Sequence, residues 1–227
     1  ADQKVGERLN LSLGTRYEHF SINDSVAAKP VFRAGLNFQA MEATWFRASM
    51  GQGFRFPTIA EKFIRTGLGP LQVYPNNELR PETAINIEAG LKQGVQLGGG
   101  QGFLDVAAFF QEYDDFVEFT FGQWGAPTEA LAGNGFRSLN TGRSRVTGWE
   151  VSWMGRAKLG ASTIDMLAGY TYTNPVSLTP DYLYSVVTHA NGDTVGGASY
   201  NNTSRDTTGN VLKYRSQNLV RLDAEWR

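Results

Sequence analysis

The chain has 227 residues, no cysteine, and 21 basic against 22 acidic residues, a formal net charge of −1. The lack of cysteine excludes disulfides, thiol catalysis and cysteine-bound metal, and the near-neutral charge gives no electrostatic reason to bind nucleic acid or an anionic membrane surface. No run of about 18 apolar residues occurs, which excludes membrane-spanning helices, but a β-barrel needs only alternate residues to be apolar.

Alternation of apolar and polar residues predicts about eight long strands. The first, over 5–20, sets Leu9, Leu11 and Leu13 against Arg8, Asn10 and Ser12; the second, over 31–40, sets Phe32, Ala34, Leu36 and Phe38 against Arg33, Gly35, Asn37 and Gln39. The third covers 44–53, with Phe46, Ala48 and Met50 opposite Arg47, Ser49 and Gly51. The fourth, over 82–97, has Ile85, Ile87, Ala89 and Leu91 opposite Asn86, Glu88, Gly90 and Lys92. The fifth spans 102–121, with Phe109 out of place on its polar side, and the sixth spans 139–157 with Thr147, Trp149, Val151 and Trp153 along one face. The seventh (162–174) carries Leu167 against the pattern, and the eighth (212–227) opposes Val220, Leu222, Ala224 and Trp226 to Arg221, Asp223 and Glu225. Side chains alternate between the two faces of a strand, so each segment is a ribbon with one apolar and one charged side. Strands of this length exceed the usual soluble value of about 5–6 residues and suit the 9–11 residues that cross a bilayer at a tilt.

Connections alternate in length. Short ones are expected at 40–43, 97–102 and 158–162, long ones at 21–30, 54–81, 122–138 and 175–211, so that the short turns share one end of the sheet. Outer-membrane barrels have this asymmetry. One helical turn is expected at 56–64, with Pro57 at its first position and Glu61 in the early turn, where the helix dipole favours an acid. The fold class is therefore all-β, an antiparallel up-and-down meander of about eight long strands belonging to a larger transmembrane β-barrel. The whole of 1–227 is expected to be one partial barrel domain, with Ala1 opening a mature protein or an excised piece and no secretion signal present.

Several stretches carry a family resemblance. FRASMGQGFRFPTIAEKF at 46–63 contains a Gly–Phe–Arg–x–Pro turn after an outgoing strand; PNNELRPETAINIEAGLKQG at 75–94 contains N-x-x-L-x-P-E-T leading into a strand with an acid two residues before a glycine. LDVAAFFQEYDDFVEF (104–119), NTGRSRVTGWEVSWMG (140–155) and AGYTYTNPVSLTPDY (168–182) follow in order. Together they resemble the TonB-dependent outer-membrane receptors, with AEKF and LKQG similar to receptors of Bacteroidetes-type envelopes. The resemblance implies an arc from the C-terminal half of a barrel of about 22 strands, in the bacterial outer membrane. It implies ligand capture by extracellular loops, followed by plug rearrangement driven from the inner membrane. The plug domain and the coupling segment have no counterpart among these residues, so contact with the TonB complex would run only through the plug. The partners implied are the lipid bilayer, the plug, the remaining barrel strands and a small-molecule or oligosaccharide substrate (siderophore, cobalamin or glycan). No nucleic acid, cofactor or catalysed reaction is implied.

Candidate residues fall into three groups. The polar face carries Arg8, Arg16, Glu18, Arg33, Arg47, Glu88, Lys92, Asp105, Glu150, Asp165, Arg221, Asp223 and Glu225, read either as a lumen wall facing a plug or as a solvated sheet face. The apolar face carries Tyr17, Phe20, Phe32, Trp149, Trp153, Tyr170, Tyr172 and Trp226, read as an interfacial belt or as a sandwich core. Trp124, Arg137, Asp181, Tyr182, Tyr184, His189 and Tyr200 in the long loops are ligand candidates, or ordinary loop anchors. Asp114 and Asp115, with Glu112 before them, mark where the fifth strand leaves the membrane. His19 and His189 lack ligand spacing, so no metal site is expected. Two other architectures stay open: a closed eight-stranded barrel of porin or adhesin type, in which the first and last strands pair, and a soluble β-sandwich with its apolar faces packed together.

Overall fold

The computed structural model describes residues 1–23, 25–189, 191–213 and 215–227. In chain order, β1 (Asp2–Val5) turns at Gly6 into β2 (Leu9–Ile22), followed by β3 (Ser25–Met41) and β4 (Thr44–Arg55). The next connection holds α1 (Ile59–Phe63), β5 (Thr66–Leu68) and β6 (Leu71–Tyr74), and leads to the long strands β7 (Glu82–Leu97) and β8 (Gly100–Asp114). A hairpin of β9 (Val117–Gln123) and β10 (Asn134–Asn140) precedes β11 (Ser144–Leu159) and β12 (Ser162–Ser177). The last connection contains β13 (Ser185–Thr188), β14 (Thr194–Ala198) and α2 (Tyr200–Thr203) before β15 (Asn218–Trp226).

The long strands form a nine-stranded sheet in the order β1-β2-β3-β4-β7-β8-β11-β12-β15, every pairing antiparallel. Register keeps the two faces distinct across the sheet. Leu36, Ala48, Ala89, Ala108, Trp149 and Tyr172 stand opposite one another in turn, and the adjacent row is Asn37, Arg47, Gly90, Ala107, Glu150 and Thr171. A one-residue slip in any strand would exchange its faces. Phe32, Ile87, Val106, Trp149 and Leu222 on the apolar face are exposed, with no second layer of the described chain over them. That arrangement departs from a sandwich. β1 and β15 do not pair with each other among the described residues, which departs from a closed eight-stranded barrel. The sheet curls around its polar face: one cavity of about 1040 Å³ touches Trp45 on β4 and Glu225 on β15 together.

Several expected boundaries are corrected. The first connection is not long: Ile22 stands opposite Ser25, leaving two residues between β2 and β3. Lys29 and Pro30 read as loop but lie inside β3. The Phe32 N–H points toward β4, where the Gln52 side chain accepts it at 3.3 Å, so Pro30, two residues earlier, aims its missing donor the same way, beyond the last β3–β4 pair, Arg33↔Gly51. The expected first strand is two strands joined at Gly6, whose φ of 63° suits glycine. The expected fifth and sixth strands each break, at Asp115 (φ 55°) and at Gly142 (φ 96°), and their outer parts become β9 and β10. The eighth begins at Asn218 rather than at 212. Pro57 is not the first helical residue: Thr58 is the N-cap, its side chain accepting the Glu61 N–H while Glu61 accepts the Thr58 N–H. Phe20 shares the parity of Arg16 and Glu18 and lies on the polar side, stacked at 5.5 Å on Phe56.

A second, four-stranded sheet in the order β5-β6-β10-β9 stands at the long-connection end, with β6 and β10 parallel. Its strands come from two different connections. Phe56, Pro57, Tyr74, Leu79 and Leu139 are buried beneath it or at its base.

Candidate functional site: a charged wall capped by a loop sheet

Nine of the thirteen polar-face candidates, Arg33, Arg47, Glu88, Lys92, Asp105, Glu150, Asp165, Arg221 and Asp223, share one face of the sheet by register. Arg47 is its centre. Its Nε donates to Glu88 at 3.1 Å and its Nη1 to both Asp105 oxygens at 2.6 and 2.8 Å, linking β4, β7 and β8. Arg156 grips Asp165 through two hydrogen bonds of 2.6 and 2.9 Å, and Arg221 joins Asp223 at 2.7 Å. These pairs sit on a wet face, so each contributes little to stability; their larger effect is to hold the arginines flat.

Glycines opposite the long side chains make room for them. A Cβ at Gly14 would fall 2.7 Å from Arg33 Nε, one at Gly90 2.8 Å from the Arg47 guanidinium carbon, and one at Gly148 2.5 Å from the Phe109 ring. Phe109, anomalous in the alternation, thus covers a bare strand position on the polar face. At the short-turn end the same face turns partly apolar: Phe103 lies 6.1 Å from Trp45 and 4.5 Å beneath the Lys92 ammonium, beside Met154 and Leu167.

The two sequence motifs meet at the opposite end. Arg55 of the Gly–Phe–Arg–x–Pro turn pairs with Glu61 at 3.0 Å and with Glu82 of the N-x-x-L-x-P-E-T segment at 3.7 Å. Glu82 also accepts the Val117 N–H at 2.9 Å, tying in β9. Burial pushes the Glu61 carboxyl up, but bonds from Thr58 and Arg55 outweigh it and hold the group below the usual carboxylate range. Lys62, 3% exposed, donates to the Leu79 carbonyl at 2.9 Å, and Leu79 is 2% exposed. Asn76 donates to the Ser138 carbonyl at 2.9 Å, while Asn140 accepts from the Arg80 N–H at 2.9 Å and donates to the Asp115 carbonyl at 2.8 Å. The two motifs therefore rivet one loop to another. The Thr58-x-x-Glu61 spacing is a capping-box signal legible in the sequence; the roles of Lys62, Asn76 and Asn140 have none.

The loop candidates divide into two places. Trp124 and Arg137 come together on the β9–β10 hairpin, the guanidinium 5.9 Å over the indole. The others lie in the last connection. Tyr200 is buried and donates to the Val211 carbonyl; Tyr184 is hydrogen-bonded to Thr203 at 2.9 Å, and Asp181 accepts from Asn201 at 2.6 Å. Tyr182 and His189 are exposed. The two groups approach through β9, where Arg215 lies 3.9 Å from Glu118. Burial pushes the Glu118 carboxyl above its ordinary range, with Arg215 and Lys213 pulling the other way.

On the apolar face Trp149 meets Tyr170 at 5.1 Å and Tyr172 at 6.4 Å, and Tyr170 donates to Asn218 at 2.6 Å. Tyr17, Phe32, Trp153 and Trp226 share that face by register. At its long-connection end charge returns: Glu112 accepts from Arg143 and from Arg145, whose guanidinium lies 5.2 Å over Phe110. An uncovered apolar band bounded by rings and then by ion pairs is the exterior of a membrane-spanning β-barrel wall.

The family description "TonB dependent receptor-like, beta-barrel" matches residues 1–227, and the chain belongs to that family, whose members are bacterial outer-membrane proteins. No curated protein matches the sequence. Among solved structures, the siderophore receptor PirA from Pseudomonas aeruginosa is similar at TM-score 0.60 and 15% identity, over 77% of this chain and 32% of that one. The copper transporter OprC is similar at 0.59 and 17%, over 81% and 29%. The Serratia marcescens hemophore receptor HasR, solved with its hemophore HasA and heme, is similar at 0.56 and 15%, over 73% and 31%. At these identities the likeness is one of fold, and the chain spans about a third of the length of each.

Proposed function

We propose that this chain forms the wall, and part of the extracellular cap, of a receptor that imports a scarce nutrient by TonB-coupled rearrangement of a plug. The observation that supports this most is the single-layer sheet whose apolar face is bare and whose opposite face carries Arg47, Glu88 and Asp105 in one paired cluster. In this reading Arg33, Arg47, Glu88, Lys92, Asp105, Glu150, Asp165, Arg221 and Asp223 face the plug. The riveted loop sheet holds Trp124 and Arg137 together, half-buried, while Asp181, Tyr182, Tyr184, His189 and Tyr200 shape the neighbouring loop. The nutrient belongs to the siderophore, cobalamin or glycan class. This reading assigns the residues to transport and no reaction to them.

The test is uptake by cells that carry or lack the whole receptor. Labelled nutrients of the three classes are supplied under starvation, with the proton-motive force intact or collapsed. Energy-dependent accumulation of one class only in receptor-bearing cells is the expected result. Accumulation that survives collapse of the proton-motive force, as through a passive pore, contradicts the reading.

A further inference from the structure

We propose that Arg137, standing beside Trp124 on β10, is where the extracellular cap seizes a negatively charged group of its ligand, a carboxylate or catecholate-type oxyanion. The inference rests on the uptake reading and narrows its ligand class. It starts from a contrast among the loop arginines: Arg65 and Arg205 are exposed to solvent, and most of the others face an acid. Arg55 has Glu61 and Glu82, Arg80 has Asp115, Arg143 has Glu112 and Asp114, and Arg215 approaches Glu118. Arg137 has no carboxylate within 4.0 Å among the described residues; its single hydrogen bond runs from Nη2 to Asn76 Oδ1 at 3.2 Å, an oxygen already shared with the Glu78 N–H. Its Nε is buried with no acceptor at all. Burial pulls the guanidinium pKa down, opposed by the more distant Glu78.

A half-buried cation with an orphaned N–H is a costly arrangement unless a counter-charge arrives. The surroundings suit one. Arg137 lies between Tyr74 on β6 and Thr120 on β9, in the interior of the loop sheet, so its backbone is held from both sides. Trp124 is fixed as well: its indole N–H donates to the Gly135 carbonyl at 3.1 Å, and its ring lies over Gly122, where a Cβ would fall 2.5 Å from it. Only Nε of the guanidinium is both buried and unbonded, so Nη1 keeps an open side. A planar, always-charged fork beside an aromatic face fits a planar oxyanion in two-point contact. A neutral sugar would leave the cation as it stands and gain only stacking.

The experiment uses the whole receptor in detergent or vesicles, with binding followed by tryptophan fluorescence and calorimetry. The probes are ferric citrate, a ferric tris-catecholate, a neutral ferric trihydroxamate and an uncharged maltodextrin. The expected result is binding of at least one anionic probe, weakened about tenfold or more by Arg137→Gln, weakened less by Arg137→Lys, which keeps the charge but loses the fork, and weakened by added salt. Any binding of the neutral probes should be the same in all three proteins. Three results overturn the inference: only neutral probes bind, Arg137→Gln binds the anionic probe like the parent, or it weakens charged and neutral probes alike. Energised uptake of an uncharged nutrient would leave the transport reading standing while this inference fell.

Discussion

The long strands and the short strands above them dispose of their apolar residues in opposite ways. The nine-stranded sheet leaves Phe32, Phe46, Ile85, Ile87, Trp149 and Leu222 uncovered, whereas the loop connections bury Phe56, Pro57, Tyr74, Leu79 and Leu139 within themselves. The sheet has strands of up to 17 residues and no opposing layer; the loop sheet has strands of 3 to 7 and a small core. One region takes its apolar partner from lipid, and the other supplies its own. The lesson concerns solvent: identical side chains fold outward where hydrocarbon surrounds the sheet and inward where water does. Backbone polar groups follow the same rule, since in lipid each must be paired within the sheet. The exposed outer edges of β1 and β15 therefore demand further strands or self-association, and a monomeric open arc in a bilayer would contradict that requirement.

The sharpest way to break the contrast is to place charge on the lipid side. Ala108→Arg in the whole receptor should cost about 2–4 kcal/mol if its site lies near the bilayer midplane, seen as loss of folded, heat-modifiable protein. Thr171→Arg, on the polar face opposite Glu150, should cost far less. A comparable but local effect is expected from Leu79→Ala. Removing a side chain 2% exposed should cost the loop sheet about 2–5 kcal/mol, measured as faster hydrogen exchange in β6 and β10 with the barrel's heat-modifiability unchanged. Loss of barrel stability in that variant would show that the two regions fold as one unit. Thr58→Ala removes the capping box of α1 and should cost about 0.5–2 kcal/mol, confined to exchange in 56–81.

The smallest effect is a pH dependence. Burial raises the folded-state pKa of Glu118, so its protonated form favours the folded arrangement. The stability it contributes is present below its unfolded pKa and is lost as pH rises through the raised folded value. Protease cleavage within 178–217 should be slower at mildly acid pH than at neutral pH, and Glu118→Gln should flatten the difference. Unchanged pH dependence in that variant would assign the effect elsewhere.

Much of the long sheet was legible because period-two alternation persists over many residues. β7 occupies the bounds expected of the fourth strand, 82–97, and the short turns at Glu42–Ala43, Gly98–Gly99 and Gly160–Ala161 fall together. Alternation failed where the backbone, not the side chains, changed course. Leu139 keeps step with Thr147 and Trp149 across Gly142 and hides that break, whereas Phe119 falls out of step with Leu104, Val106, Ala108 and Phe110 past Asp115, a change of phase that an unbroken strand over 102–121 ignored. Lys29-Pro30 carried loop composition into a strand. The loop sheet was invisible: strands of 3 to 7 residues are too short for a period, and β6 pairs with β10 across some sixty residues of chain. Trp124 and Arg137 were legible as residues, but their meeting was not, since it depends on that pairing.

The central claim is tested most directly on β7. Single cysteines are placed one by one from Ala84 to Lys92 of the whole receptor, in a cysteine-free background that these 227 residues already meet, and spin-labelled in bilayer vesicles. Collision with lipid-soluble oxygen should peak at Ile85, Ile87, Ala89 and Leu91 and fall at the residues between, while collision with a water-soluble nickel chelate should not rise at those four. A uniform profile, or oxygen maxima at Asn86, Glu88 and Gly90, would contradict a sheet that turns its apolar face to lipid.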